Sequence, residues 1–328
     1  MARRPTLEAL VEGVQAGDRR AVARAITLVE NRDPLAEALV GALYPGTGGA
    51  ATVGITGPPG VGKSSLIAAL TAVVRASDQT VGVISVDPSS PFTKGAVLGD
   101  RIRLADHFLD QGVFIRSMAT RGHLGGVAEA TLQAALILDA SGRDVLFLET
   151  VGTGQSEIEI AQVADTVLLV LMPGSGDSIQ ALKAGIMEIP DVIAINKRDH
   201  PNAKAMLREV RAVLALTPDR EWTAPIVLTE ALSPGGIDEL WEAIGSHRAW
   251  LEEGGRLEER RRQSISAEVF ALAAARAGAH LERAVSGDPE LRRLLDEVEA
   301  RTLDPLAAVR EILERVFRIE DDGASDSR

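Results

Sequence analysis

Gly57-Pro58-Pro59-Gly60-Val61-Gly62-Lys63-Ser64 fits the pattern G-x-x-x-x-G-K-[ST] at every fixed position. Such a loop turns its backbone N–H groups inward around a diphosphate. Its glycines bring the backbone close to phosphate oxygens without a Cβ in the way. Lys63 is placed to reach the β- and γ-phosphates and the Ser64 hydroxyl to ligate Mg²⁺. Ser65 stands beside them at the helix start. The motif requires strand, loop and helix in that order, and the flanks supply it. Ala51 to Thr56 reads as a strand with Val53 and Ile55 on one face. Ser65 to Val74 reads as a helix with Leu66, Ile67, Leu70, Val73 and Val74 at helical spacing. The helix N-terminus then points its partial positive charge at the phosphates. A chance Gly-rich turn is the bland alternative, and the correct flanks speak against it.

The 328 residues suffice for one large domain with extensions, or for two domains. A formal charge of −12 argues against general binding of nucleic acid or anionic membrane. No cysteine is present, which excludes disulfides, iron–sulfur clusters and thiolate metal sites. The N-terminus lacks the apolar core of a secretory signal, and the apolar run Val167 to Met172 is far too short to span a bilayer. A cytoplasmic protein is the expectation. The five histidines, at 107, 123, 200, 247 and 280, show no HxxxH or HExxH spacing, so a packed or solvated role is the default for each.

Working outward from the loop, Leu7, Leu10, Val11 and Val14 follow helical spacing, as do Val22, Ile26 and Val29. Asp33-Pro34 starts a further helix carrying Leu35, Leu39 and Leu43. Residues 1–48 form a helical extension, closed by the Gly-rich break Pro45 to Gly49. From 49 to 252, strands and helices alternate. Strand candidates are 52–56, 80–86, 112–116, 144–149, 165–171, 191–195 and 225–229. Their near-continuous apolar runs predict an α/β fold with a mostly parallel, buried sheet flanked by helices. Ligands bind at the carboxyl ends of such strands. Residues 253–318 read as a helical arm whose narrow apolar stripes must be buried against the nucleotide domain or another subunit, with a homodimer favoured. Residues 319–328 are polar and expected to be disordered.

Each further motif falls at a strand's carboxyl end. Asn196-Lys197-Arg198-Asp199 is the N-K-x-D pattern of guanine readers. The Asp199 carboxylate offers two lone pairs to the N1–H and N2–H₂ donors of guanine. Adenine lacks that pair, and an unpaired buried carboxylate costs about 1–3 kcal/mol or more. Asn196 is placed for N7 and for tying this loop to the phosphate loop, and the Lys197 stem for lying over the base. Glu149-Thr150-Val151-Gly152 stands where D-x-x-G elements hold the magnesium shell and contact the γ-phosphate through a glycine N–H. The acid here is one methylene longer and can reach Mg²⁺ through a water. Asp87, before Pro88, and Asp100 are further candidates for that shell. An Asx-turn and a helix N-cap are their structural alternatives. The segment 88–100 has the Gly, Pro and Ser content of a switch loop. Thr153 occupies the place where many small GTPases carry a water-orienting glutamine, and the next glutamine is Gln155. This departure predicts slow intrinsic hydrolysis. Arg121, in the Gly-rich stretch 116–126, can serve a phosphate, a partner or a loop salt bridge. Asp177, Gln180 and Lys183 are the polar candidates of a further loop and helix. Thr229-Glu230-Ala231 has the S/T-x-A form that braces guanine O6 through a backbone N–H.

With GPPGVGKS at 57–64, VDPSSP at 86–91, LGDRIR at 98–103, RSMATRGHLGG at 116–126, ETVGTGQSE at 149–157 and NKRD at 196–199, the chain resembles the MeaB/ArgK family of G proteins, the methylmalonyl-CoA mutase-associated GTPases. The resemblance covers roughly residues 5–318. It implies a P-loop GTPase of the SIMIBI class, using GTP/GDP and Mg²⁺, with helical extensions and a homodimer formed through the C-terminal arm. It also implies a partner, an adenosylcobalamin-dependent methylmalonyl-CoA mutase or a close relative. There the G protein gates cofactor delivery and protects the mutase from inactivation. The candidate site is Lys63, Glu149, Gly152 and Gln155 for catalysis, and Ser64, Asp87, Asp100 and Glu149 for the metal. Residues 57–65, Asn196, Lys197, Asp199, Thr229 and Ala231 hold the nucleotide. A P-loop small-molecule kinase is the alternative from another class, and N-K-R-D speaks against it. A metal-insertion GTPase is another, but its chemistry needs Cys and His ligands that this chain lacks or scatters.

Overall fold

Apolar runs with no polar face can pair only where both sides are covered, and seven such runs form one parallel sheet in the order β3-β2-β4-β1-β5-β6-β7. The computed structural model describes residues 6–88, 104–120, 126–149, 163–174, 190–216, 221–233 and 235–317. The strands are β1 (Ala51–Thr56), β2 (Val81–Pro88), β3 (Val113–Thr120), β4 (Val145–Glu149), β5 (Thr166–Leu171), β6 (Val192–Ile195) and β7 (Ile226–Leu228). β1 is central, between β4 and β5. β3 runs four residues past its expected end at 116, because it stays in register with β2 as far as Pro88↔Thr120.

Alternation along each strand divides the core between the two faces. Val145 and Phe147 join Val53, Ile55, Val81 and Val83 beneath α4 (Lys63–Ala76) and α7 (Ile237–Glu252). Leu146 and Leu148 point the other way, to a cluster with Ile84, Phe114 and Met118. That face is covered by α1 (Leu7–Gln15), α2 (Arg19–Glu30), α3 (Leu35–Leu43) and α5 (Gly126–Ala140). The N-terminal helices bury Leu10, Val14, Ile26, Val29, Leu39 and Leu43 there. A fully buried side chain of this kind contributes about 1.5–3 kcal/mol. Thr6 and Asp18 cap α1 and α2 by accepting from Ala9 N and Ala21 N. α6 (Ala203–Leu214) places Met206 and Val210 over Leu169, Leu171, Ile193 and Ile195.

α8 (Arg256–Gly287) is one continuous helix, and the chain divides within it into a unit ending at Glu268 and a unit beginning at Val269. In the first unit, Arg260 forms an ion pair with Asp191 at 2.7 Å and Arg261 with Asp165 at 2.6 Å. Arg261 also donates to the carbonyls of Gly48 and Ala50. In the second unit, α9 (Pro289–Glu299) and α10 (Pro305–Phe317) bury Leu291, Leu294 and Ala308. Val269, Phe270, Leu306 and Val309 are exposed. Among the described residues, no helix is long and apolar enough to cross a membrane.

His247 on α7 is fully buried at the amino edge of the sheet, between Trp222 and Trp250. Its Nδ1 lies 2.9 Å from Thr166 Oγ1, and its Nε2 stands 3.4 Å from Asp191 Oδ1 without hydrogen-bond geometry. Burial pushes its pKa down despite the pull of Asp191. A depressed histidine pKa means that the unfolded chain binds more protons than the folded one. Its contribution is therefore complete above the unfolded value of about 6.5 and is lost as pH falls through the window below it. Urea unfolding at pH 7.5 and pH 5.5 should show that loss, and His247→Gln should remove this part of the slope.

Candidate functional site

The loop 57–62 leaves the carboxyl end of β1 with no room for side chains at its two ends. Gly57 has φ 139°, and a Cβ there would overlap Val170 O. Gly60 and Gly62 also have positive φ, 79° and 98°. A Cβ on Gly62 would overlap Asn196 Nδ2. Gly62 caps α4 in the left-handed conformation, so the helix begins at Lys63 with its first N–H groups at the loop. Lys63 is nearly buried, and its Nζ donates to Gly57 O at 2.7 Å and Pro58 O at 3.1 Å. The ammonium thus lies across the loop.

Three polar side chains converge beside Lys63. Ser64 Oγ donates to Glu149 Oε1 at 2.7 Å, and Ser85 Oγ donates to Glu149 Oε2 at 3.0 Å. Ser64, Ser85 and Glu149 are all at most 5 % exposed. A carboxylate this buried needs donors on both oxygens, and two hydroxyls supply them. The sequence reading did not find Ser85. Its signal is the parallel register, which sets Ser85 directly beside Glu149. Asp87 follows two residues on in β2, opposite Ala119. Asp100, Gly152 and Gln155 lie outside the described residues, as do Arg121, Asp177, Gln180 and Lys183.

A second loop closes on the first. Asn196, 2 % exposed, follows β6 and donates from Nδ2 to Val61 O at 2.8 Å. Its Oδ1 accepts from Ala231 N at 3.2 Å and from Thr229 Oγ1 at 3.4 Å. One amide therefore joins the phosphate loop, the N-K-R-D loop and the T-E-A loop. Thr229 N donates to Ile195 O and Arg198 N to Thr229 O, which locks the last two together. Lys197 has φ 59° and is exposed, as is Asp199. One oxygen of the Glu230 carboxyl is buried without a hydrogen-bond partner among the described residues; burial first, and then the neighbouring Asp199, raise its pKa.

A loop with phosphate-binding geometry, joined through one buried asparagine to an N-K-x-D loop, is the arrangement of a guanine-nucleotide site. The chain matches the family described as methylmalonyl-CoA mutase-associated GTPase MeaB over residues 22–286. It belongs to the MeaB family of GTPases. It is 47 % identical to a putative GTPase of Pyrococcus abyssi over 95 % of this chain and 97 % of that one. It is 33 % identical to the mitochondrial methylmalonic aciduria type A homolog of Caenorhabditis briggsae, over 80 % of this chain and 68 % of that one. A solved structure described as a LAO/AO transport system kinase superposes with TM-score 0.75 at 30 % identity, covering 97 % of this chain and 99 % of that one.

For this MeaB-family chain, Gly62→Ala tests the contact between the loops. The substitution combines a strained positive φ with overlap on Asn196, a cost of about 1–3 kcal/mol. Titration with a fluorescent guanine nucleotide should show about a tenfold to hundredfold loss of affinity, with an unchanged circular dichroism spectrum.

Proposed function

We propose that this chain is a GTP-driven switch serving an adenosylcobalamin-dependent acyl-CoA mutase of the methylmalonyl-CoA type. In this reading it gates cofactor delivery and protects the mutase, with hydrolysis as the timer. The observation that carries the switch is the buried Asn196 bridge between the phosphate loop and the guanine loop. The partner rests on the family's description and on the name of the worm relative.

The residues act as follows. Backbone N–H groups within 57–65 (Pro58 and Pro59 have none) cradle the α- and β-phosphates, and Lys63 leaves its loop carbonyls for the β- and γ-phosphates. Asp199 accepts from guanine N1–H and N2–H₂, with Lys197 over the base and Ala231 N–H near O6. Thr229 holds Asn196 in place. Ser64 and Glu149 present hard oxygen donors, which fit Mg²⁺; Asp87 and Asp100 complete its surroundings. Bound Mg²⁺ would neutralise charge on the β- and γ-phosphate oxygens. Hydrolysis is in-line attack by water on the γ-phosphate, with Gly152 N–H on that phosphate and Gln155 as the glutamine nearest the water. The intrinsic rate is slow because no glutamine directly follows Gly152, and the partner raises it. The exposed Val269, Phe270, Leu306 and Val309 supply an apolar surface for a homodimer through the C-terminal helices.

Two measurements test this. Asp199→Asn replaces one acceptor oxygen with a donor, so affinity for GDP should fall about tenfold to a hundredfold while affinity for xanthosine diphosphate rises. Equal affinity of the wild-type chain for ATP and GTP would favour a small-molecule kinase instead. GTP turnover should rise when the mutase is added, and the mutase should stay active for longer; no change in either would sink the chaperone role.

A further inference from the structure

The rows of side chains under α4 run apolar along β2 and β4 until their carboxyl ends. Val81 and Val83 precede Ser85 on one strand, and Val145 and Phe147 precede Glu149 on the next. With period-two alternation, Ser85 and Glu149 therefore share the face that Ser64 closes from above. The register pairs Ser85 with Glu149, and Glu149 with Ile55 of β1. Two of these three neighbours are polar, and they bond each other. Ile55 has no group to offer, so the second oxygen of Glu149 takes its donor from Ser85 at 3.0 Å.

We propose that Ser85 is a positioning residue for the magnesium shell, holding the glutamate found where related loops use an aspartate. This rests on the assignment of Ser64 and Glu149 to Mg²⁺. A glutamate has one more rotatable bond than an aspartate, and each free torsion adds entropy that an ordered ligand must lose. Pinning Oε2 to Ser85 fixes that torsion. Oε1 then meets Ser64 at 2.7 Å, so the two oxygens that would hold a cation sit at a set separation. The Ser64 hydroxyl gives its proton to Glu149 and so acts toward a cation through its oxygen lone pairs. Both bonds run from a hydroxyl to a carboxyl oxygen in a buried site, where an acceptor left without a donor is costly. Ser85 touches neither nucleotide nor metal; it works through Glu149.

The test measures binding of fluorescent GDP to the full chain, in Mg²⁺ and in EDTA, and takes the ratio of the two affinities. In Ser85→Ala that ratio should fall about tenfold, with the EDTA affinity unchanged. Ser85→Thr keeps the hydroxyl and should restore the ratio. In an E149D background the shorter acid no longer spans to Ser85, so adding Ser85→Ala should change the ratio by less than about twofold. Thermal melting without nucleotide establishes that each variant is folded. An unchanged ratio in Ser85→Ala overturns the proposal, as does an equal loss in the E149D background. A wild-type chain whose GDP affinity ignores Mg²⁺ overturns the metal assignment itself, and Ser85's role with it.

Discussion

The absence of space around the phosphate loop is the constraint on which the site depends. Gly57 is pressed against the Val170 carbonyl of β5 and Gly62 against the side-chain amide of Asn196. Neither contact leaves room for a Cβ. The loop is thereby wedged between the ends of β5 and β6, the first two of the three strands on the side of β1 that leads to the guanine loop. A flexible glycine-rich loop would lose much entropy on closing around phosphates. Here packing has already imposed the shape. Asn196 extends the constraint from phosphate to base, because its two amide atoms have partners in different loops. Movement of either loop would strand a buried polar atom, which couples base recognition to phosphate recognition.

The opposite edge of the sheet is organised by charge. Asp165 and Asp191 precede β5 and β6, accept from the backbone N–H of Thr52 and Val167, and pair with Arg261 and Arg260. Such pairs add little net stability when compared with apolar packing, but removing one partner strands the other. Their value is geometric: they fix the first turns of α8 against the sheet. His247 belongs to the same cluster, and its burial between two tryptophans disfavours a further positive charge beside Arg260.

Much of this was legible in the sequence, for reasons that differ by element. The strands were visible because parallel strands are apolar on both faces, as in Val167 to Leu171 and Val192 to Ile195. The phosphate and guanine loops were visible because their chemistry fixes residue types at short spacing. The extension of β3 beyond Arg116 was hidden, since Arg116-Ser117-Met118 resembles a loop until its pairing with β2 is known. Arg116, the first residue of that stretch, pairs with Glu30 and Thr27 of α2. Ser85 was hidden for a deeper reason. It lies 64 positions from Glu149 in sequence, and only sheet order and register make the two neighbours. Strand order is a property of the whole chain, and no local spacing encodes it.

The position of Lys63 bears on how the proposed switch would respond to its ligand. Its ammonium already donates to two carbonyls of the loop, at 2.7 and 3.1 Å. A nucleotide must replace these bonds rather than simply add to them. The exchange favours phosphate, because a bond between two ions is stronger than one from a cation to a neutral carbonyl. Its gain is nevertheless a difference and not a whole interaction. The same holds for Ser64, whose proton is committed to Glu149 beforehand. A site satisfied in this way pays little reorganisation to remain closed without phosphate, so its free energy of binding responds to small changes in ligand charge. Loss of the γ-phosphoryl group removes that charge together with the contacts made to it, which is the discrimination the proposed switch has to make.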